Sequence, residues 1–255
     1  MTTDTEEVTY QIGGSGLSFR AAGIGDLGAT EYTLFTAAID LTWSTMDFAD
    51  ELRTMLVTAV KACARSPRAD NLLARATTFS SEIGVRELFG FRPLPEVDPG
   101  AHPDLYPAFR PSGLTNLCDA TFDGVASVDV YGEDLRKNDF LVNGVGVWVT
   151  DGGENASHKT MADVKRRLAE ARRAENLESF VTILVGVNTS DCRSALEQFQ
   201  REAGIDKFVD AGEATPARLA KLGFDPAERN VLAVEYWRAR IWIEEAVEGC
   251  RWLVF

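Results

Sequence analysis

Histidine is nearly absent from this chain, with only His102 and His158, and the four cysteines (Cys63, Cys118, Cys192, Cys250) lie far apart without a CxxC pair. A thiolate zinc site and a disulfide framework therefore both lack their residues, and a reducing compartment fits the cysteine usage best. Basic residues are in deficit, 26 against 39 acids for a formal charge of −13, so the surface repels phosphate backbones and anionic lipid. That argues against nucleic-acid and membrane-surface roles. No apolar run approaches a membrane span, and no basic stretch followed by an apolar one opens the chain. The expectation is a soluble, cytoplasmic protein. Nucleotide motifs are missing as well: GGSG at 13–16 lacks the Lys-Ser/Thr of a phosphate-binding loop. GIGDLG, with Gly23, Gly25 and Gly28, precedes an apolar strand instead of following one, so these are loop glycines and no dinucleotide is implied.

At 255 residues and 45% hydrophobic the chain can fill one large core. Residues 1–28, acidic and then glycine-rich, read as a flexible or partly paired lead-in. YTLFTAAI (32–39) is a nearly continuous apolar run, as in a strand covered on both faces. After it, Phe48, Leu52, Met55, Leu56, Ala59, Val60 and Cys63 form a helical stripe that Pro67 closes. LLARATTFS (72–80) and VRELFGF (85–91) flank a short turn and predict a hairpin at the sheet edge. Six prolines between Phe91 and Gly113 mark loop 92–112 as functional or mobile. Leu117, Thr121, Val125 and Val128 share one helical face. GVGVWVTDGG (144–153) is a second buried strand, and a charged helix follows whose KRRLAEARR run is a solvated face. FVTILVGVN (180–188) is a third, ahead of a helix carrying Leu196, Phe199 and Ala203, and Thr215-Pro216 begins a short helix that Gly223 ends. The class is α/β: a doubly wound, mainly parallel sheet of about six strands with helices on both faces and one antiparallel edge hairpin. The main domain spans 29–225, and residues 226–255 form an aromatic-rich extension with three of the five tryptophans. There Leu232, Tyr236, Ala239, Ile243, Ala246 and Cys250 make a helical stripe, yet Ala239, Ile241 and Ile243 alternate as in a strand. The segment is either an element packed back on the domain or a docking segment for assembly.

Chemistry concentrates where apolar strands end. In AIDLTWSTMD, Asp40, Thr42 and Ser44 follow one strand; Asp151 ends another; Thr115 stands in GLTNL. In a doubly wound sheet, strand ends are where ligands bind. Two carboxylates and three hydroxyls are hard oxygen ligands, suited to Mg²⁺ or Mn²⁺, with a coordination position left for an outside oxygen. A plainer reading of DLTWS is helix capping, with Ser44 or Thr45 as cap and Asp47 in the first turn. Glu154, Asn155 and His158 flank the site as surface residues, His102 is another solvated loop residue, and Trp43 is either core or rim.

DLTWS, GLTNL and TDGG, in that order, resemble the metal-ion-dependent adhesion site of von Willebrand factor type A domains, whose pattern is D-x-S-x-S, then threonine, then aspartate. The hairpin TTFSSEIGVREL and FVTILVGVN fit the same layout, and Thr42 replaces the usual serine. The resemblance implies a Rossmann-like sheet whose top face holds Mg²⁺ (or Mn²⁺) through Asp40, Thr42, Ser44, Thr115 and Asp151, completed by an aspartate or glutamate from a protein partner. It implies a recognition module, not an enzyme, from a prokaryote or phage, with an AAA+ ATPase or a kinase and phosphatase system as partner. The alternative is a structural subunit of a virion or secretion-like particle. A third reading, a Mg²⁺-dependent hydrolase, would want an aspartate where Thr42 stands.

Overall fold

A computed structural model describes residues 5–13, 16–66 and 68–212. Pro67, the predicted helix at Thr215–Gly223 and the extension 226–255 lie outside the described residues. In chain order the elements are β1 (Glu7–Ile12), β2 (Leu17–Ala22), β3 (Glu31–Asp40), α1 (Ala49–Cys63), β4 (Leu72–Ser80), β5 (Gly84–Pro93), α2 (Leu117–Lys137), β6 (Leu141–Thr150), α3 (Met161–Arg173), β7 (Ser179–Gly186), α4 (Arg193–Ala203) and β8 (Lys207–Asp210).

The strands form one eight-stranded sheet in the order β1-β2-β5-β4-β3-β6-β7-β8. β4, β3, β6, β7 and β8 run parallel. β5 is antiparallel to β4, β2 returns parallel beside β5, and β1 closes the edge antiparallel to β2. The α/β class is as expected, but a sheet of about six mainly parallel strands is corrected to eight of mixed direction. The reason is the lead-in: EVTYQI and LSFRAA are short, glycine-flanked strands that make a second hairpin. Because β2 pairs with β5, the predicted β4–β5 hairpin lies inside the sheet and not at its edge.

β3 carries the logic of the core. Its Phe35, Ala37 and Ile39 pack with Phe48, Leu52, Leu56 and Val60 around α1, while Leu34 and Ala38 point to the other cluster. That other face is covered by α2, α3 and α4 through Leu117, Val125, Val128, Leu168, Leu196 and Phe199. Both faces are buried, which is why the strand reads as an unbroken apolar run. The proline-rich loop is part of this cover: Leu94, Val97, Tyr106 and Phe109 join the α1 cluster. It is pinned where Tyr106 Oη donates to the Val97 carbonyl at 2.5 Å and Arg53 Nε to the Tyr106 carbonyl at 2.7 Å.

The amino-terminal hairpin is built into the core: Ile12, Phe19 and Ala21 are buried with Phe91 and Tyr131, and Tyr131 Oη donates to the Ala22 carbonyl at 2.8 Å. Ala21 opposes Phe91 across the β2–β5 seam, and a Cβ at Gly90 would lie 2.2 Å from the Arg20 carbonyl oxygen, so only glycine permits the approach. An ion network crosses the same region. Arg75, only 2% exposed, donates to Glu87 at 3.0 Å and Asp123 at 2.8 Å. Glu87 in turn meets Arg20 at 2.9 Å, and Arg20 meets Glu7 at 3.0 Å.

Chain direction sets the site. β3 leads through α1 to β4 on one side, and the later β6 lies on the other side of β3. The strand order therefore reverses beside β3, leaving a crevice beyond the carboxyl ends of β3 and β6.

Candidate metal site

Asp40 is the last residue of β3 and is fully buried. Its Oδ1 accepts from the Thr42 amide at 2.9 Å and its Oδ2 from Thr150 Oγ1 at 2.6 Å. Thr42 has extended backbone, φ −84° and ψ 169°, and this ends the strand direction and starts a 3-10 turn at Trp43–Phe48. The turn brings Ser44 back over Thr42: their hydroxyl oxygens lie 3.0 Å apart, and Ser44 Oγ donates to Asp151 Oδ1 at 2.7 Å. The Thr42 hydroxyl thus stands between Ser44 Oγ and the Asp40 carboxyl, and Ser44 hands its own proton to Asp151.

Thr115 joins from the segment before α2. Its amide donates to Asn155 Oδ1 at 2.8 Å, its carbonyl accepts from the Asn155 and Ala156 amides at 3.0 Å each, and its hydroxyl stands 3.0 Å from where a Cβ on Gly152 would sit. All five residues named from the sequence thus meet at the crevice, four of them in one hydrogen-bonded set and Thr115 against the Asp151 loop. The capping reading of DLTWS fails on the same geometry. Neither the 3-10 turn nor α1 has a side-chain cap, Ser44 is engaged by Asp151, and Thr45 Oγ1 donates back to the Thr42 carbonyl at 2.9 Å.

Electrostatics favour a positive guest. Burial pushes the Asp40 carboxyl up to about 7, outweighing the hydrogen bonds from Thr150 and Thr42, and negative Asp151 adds to the rise. Burial raises Asp151 as well, against the hydrogen bond from Ser44. No basic group contributes to either shift. Two polar atoms on the adjoining segments, Ser80 Oγ and Asn116 Oδ1, are buried without a hydrogen-bond partner; buried groups of this kind call for a water or an ion. The donor set fits a hard divalent cation. Among the described residues no three of His, Cys, Asp and Glu cluster, and the set is instead two carboxylates plus hydroxyls, the composition that suits Mg²⁺ better than zinc.

Two roles escaped the sequence reading. Thr150 looks like an ordinary strand-terminal β-former, yet its hydroxyl fixes Asp40 and accepts from the Gly152 amide at 3.1 Å. Glu154, expected as a surface residue, holds the start of α2 through the Cys118 amide at 2.6 Å and its own loop through Ala156 and Ser157. Trp43 is settled as rim, at 54% exposed. His158 is solvated as expected, its ring reaching only Asp119 at 3.2 Å.

No protein-family model and no curated protein matches the chain. Solved structures do. The pilus adhesin SpaC from Lactobacillus rhamnosus GG aligns with a TM-score of 0.56 at 11% identity, over 94% of this chain and 32% of the adhesin. The PilB minor pilin from Streptococcus sanguinis, as its D319A mutant, aligns with a TM-score of 0.52 at 12% identity, over 91% of this chain and 66% of the pilin. A von Willebrand factor type A protein from Catenulispora acidiphila aligns at 0.49 and 15% identity, over 86% of this chain and 47% of that one. The chain therefore spans about a third of the adhesin and under two thirds of the pilin. What it shares with these two is the fold.

Proposed function

We propose that the protein is a von Willebrand factor type A-like recognition module that binds a protein partner through a divalent cation, Mg²⁺ or Mn²⁺. Asp40, Thr42, Ser44, Thr115 and Asp151 would hold the ion, and a bound ion supplies a coordination position for an aspartate or glutamate of the partner. One observation carries the reading: a buried carboxylate without a basic counter-charge lies beneath a hydrogen-bonded row of hydroxyls and a second carboxylate. Exposed Ser44 and half-buried Asp151 form the opening, and Asp40 lends the pocket its negative charge. Such a site attracts a cation at the cost of exposing it on one side only, and contact with an outside carboxylate is then charge-assisted.

The same burial argues against the hydrolase reading. Asp40 has no exposed surface from which to attack a substrate, and Thr42 stands where a second acid would be needed. Assembly into a larger structure is a second reading, supported by the fold-level likeness to an adhesin and a minor pilin. The AAA+ ATPase and the kinase and phosphatase system implied by the sequence resemblance draw no support from those neighbours. Among the described residues no helix is long and apolar enough to cross a membrane.

Calorimetric titration of the full chain with MgCl₂ and MnCl₂ tests the proposal. Saturable 1:1 binding that Asp40→Ala and Asp151→Ala abolish is expected. Metal affinity unchanged by either substitution would sink it.

A further inference from the structure

The surroundings of the crevice carry information about what docks there. Among the described residues five large hydrophobic side chains are exposed: Val8, Trp43, Met46, Leu114 and Leu141. Val8 lies on the edge strand β1, and Leu141 opposite Glu31 starts β6, at the strand ends away from the crevice. The other three belong to the site segments. Trp43 sits between Thr42 and Ser44, Met46 is in the same 3-10 turn, and Leu114 immediately precedes Thr115, with exposures of 54%, 53% and 55%.

These side chains stand on fixed backbone. The Trp43 amide donates to the Gly113 carbonyl at 3.1 Å, the Ser112 amide to the Leu41 carbonyl at 2.8 Å, and Leu114 and Ser81 exchange two bonds at 2.8 Å each. Gly113 is held at φ +69°, where a Cβ would come within 2.7 Å of Ser81 Oγ, so the two segments are locked together. Exposed apolar groups concentrated in one rigid place mark an interaction surface. Here they are continuous with a pocket whose charge calls for a cation and then a carboxylate.

We infer that the rim of Trp43, Met46 and Leu114 selects a protein partner that presents its acidic side chain next to a bulky apolar one. This rests on the cation reading of the site. The carboxylate completes the ion's shell while the neighbouring apolar side chain leaves water against the rim, which also shields the charge-assisted contact from solvent. Without the cation the pocket offers the peptide's acid only carboxyl groups and hydroxyls, so the charge-assisted contact is lost.

A displayed library of heptapeptides with a central aspartate or glutamate and random flanks, screened against the full chain in Mg²⁺, tests the selection. Enrichment of Leu, Phe, Met or Trp within two residues of the acid is expected, lost in EDTA. Synthetic peptides from the enriched pool should bind at least 10-fold more weakly to the Trp43→Ser/Met46→Ser/Leu114→Ser triple variant, with calorimetric Mg²⁺ affinity and melting temperature unchanged. Trp43→Phe should retain most binding. Enrichment of acids without apolar neighbours, apolar enrichment that survives EDTA, or no peptide binding by the Mg²⁺-loaded protein overturns the inference while leaving the cation site standing. Failure of Mg²⁺ to bind the wild-type chain overturns the parent reading instead. Mg²⁺-dependent self-association that the triple variant abolishes would assign the rim to a second copy and overturn it too.

Discussion

Two buried charges in this molecule are treated in opposite ways. Arg75, on β4, is sealed between Glu87 and Asp123 and also donates to Ser127 Oγ at 3.2 Å, so each group finds its counter-charge inside the protein. Asp40, one strand over on β3, is as deeply buried but has hydrogen bonds from Thr42 and Thr150 and a second acid for company, with no basic group. A compensated charge belongs to the architecture. An uncompensated one at a strand end, opening on a crevice, is poised for a ligand the protein does not itself supply. Burial alone would not separate the two; the sign and completeness of the surrounding set does.

The contrast can be broken most severely at Arg75. Arg75→Met strands Asp123 in the core and leaves Glu87 with Arg20 alone, so urea unfolding should show a loss of about 3–5 kcal/mol, with most of it recovered when Asp123→Asn is added. At Asp40 the same logic predicts a gain. Folded Asp40 holds its proton up to about pH 7 and unfolded Asp releases it near its ordinary value of 3.8, so between these the folded state binds more protons. In EDTA, wild-type stability should therefore fall as pH rises from about 4 to 7, and Asp40→Asn should flatten that slope and stabilise the protein by roughly 3 kcal/mol at pH 7.5. Mg²⁺ should recover stability in the wild type only. A flat wild-type profile would remove the idea of an uncompensated charge.

Smaller effects sharpen the comparison by touching scaffold and not charge. Gly113→Ala forces a Cβ onto a positive φ and into Ser81, at about 1–2 kcal/mol by thermal melt, and should weaken Mg²⁺ binding by displacing Thr115. Glu154→Gln loses the charge-assisted hold on α2, costing about 1 kcal/mol, with Mg²⁺ affinity little changed. An Mg²⁺ affinity that collapses in the glutamine variant would bring Glu154 into the site itself.

The signals of the candidate site are local in the sequence: polar residues stand at the tip of an apolar run, and a second aspartate ends a similar run. Alternation of apolar runs and amphipathic stripes likewise located β3, β6, β7 and the helices. What escaped depends on partners distant in sequence. Arg75 in LLARATTFS reads as one more alternating strand residue, since only tertiary pairing with α2 and β5 makes it internal. Thr150 is indistinguishable from a β-former until β3 and β6 are laid side by side. The first hairpin was obscured by its glycine-rich flanks, and β2 finds its neighbour only after β5 has been made. The proline-rich loop announced itself correctly as irregular, but its prolines hid two aromatic anchors, Tyr106 and Phe109, that make it a fixed cover.

The seam at Gly90 has a consequence in time. The β1–β2 ribbon pairs residues as near in sequence as Ile12 and Leu17 and can form early, whereas its attachment to β5 must wait for a much longer loop to close. Once formed, that attachment rests on the close approach at Gly90, on the Arg20–Glu87 and Arg92–Glu7 bridges, and on Phe19 packed against Phe91. Amide hydrogen exchange should accordingly be slowest in β3, β6 and β7 and faster in β1, which pairs with β2 on one side only.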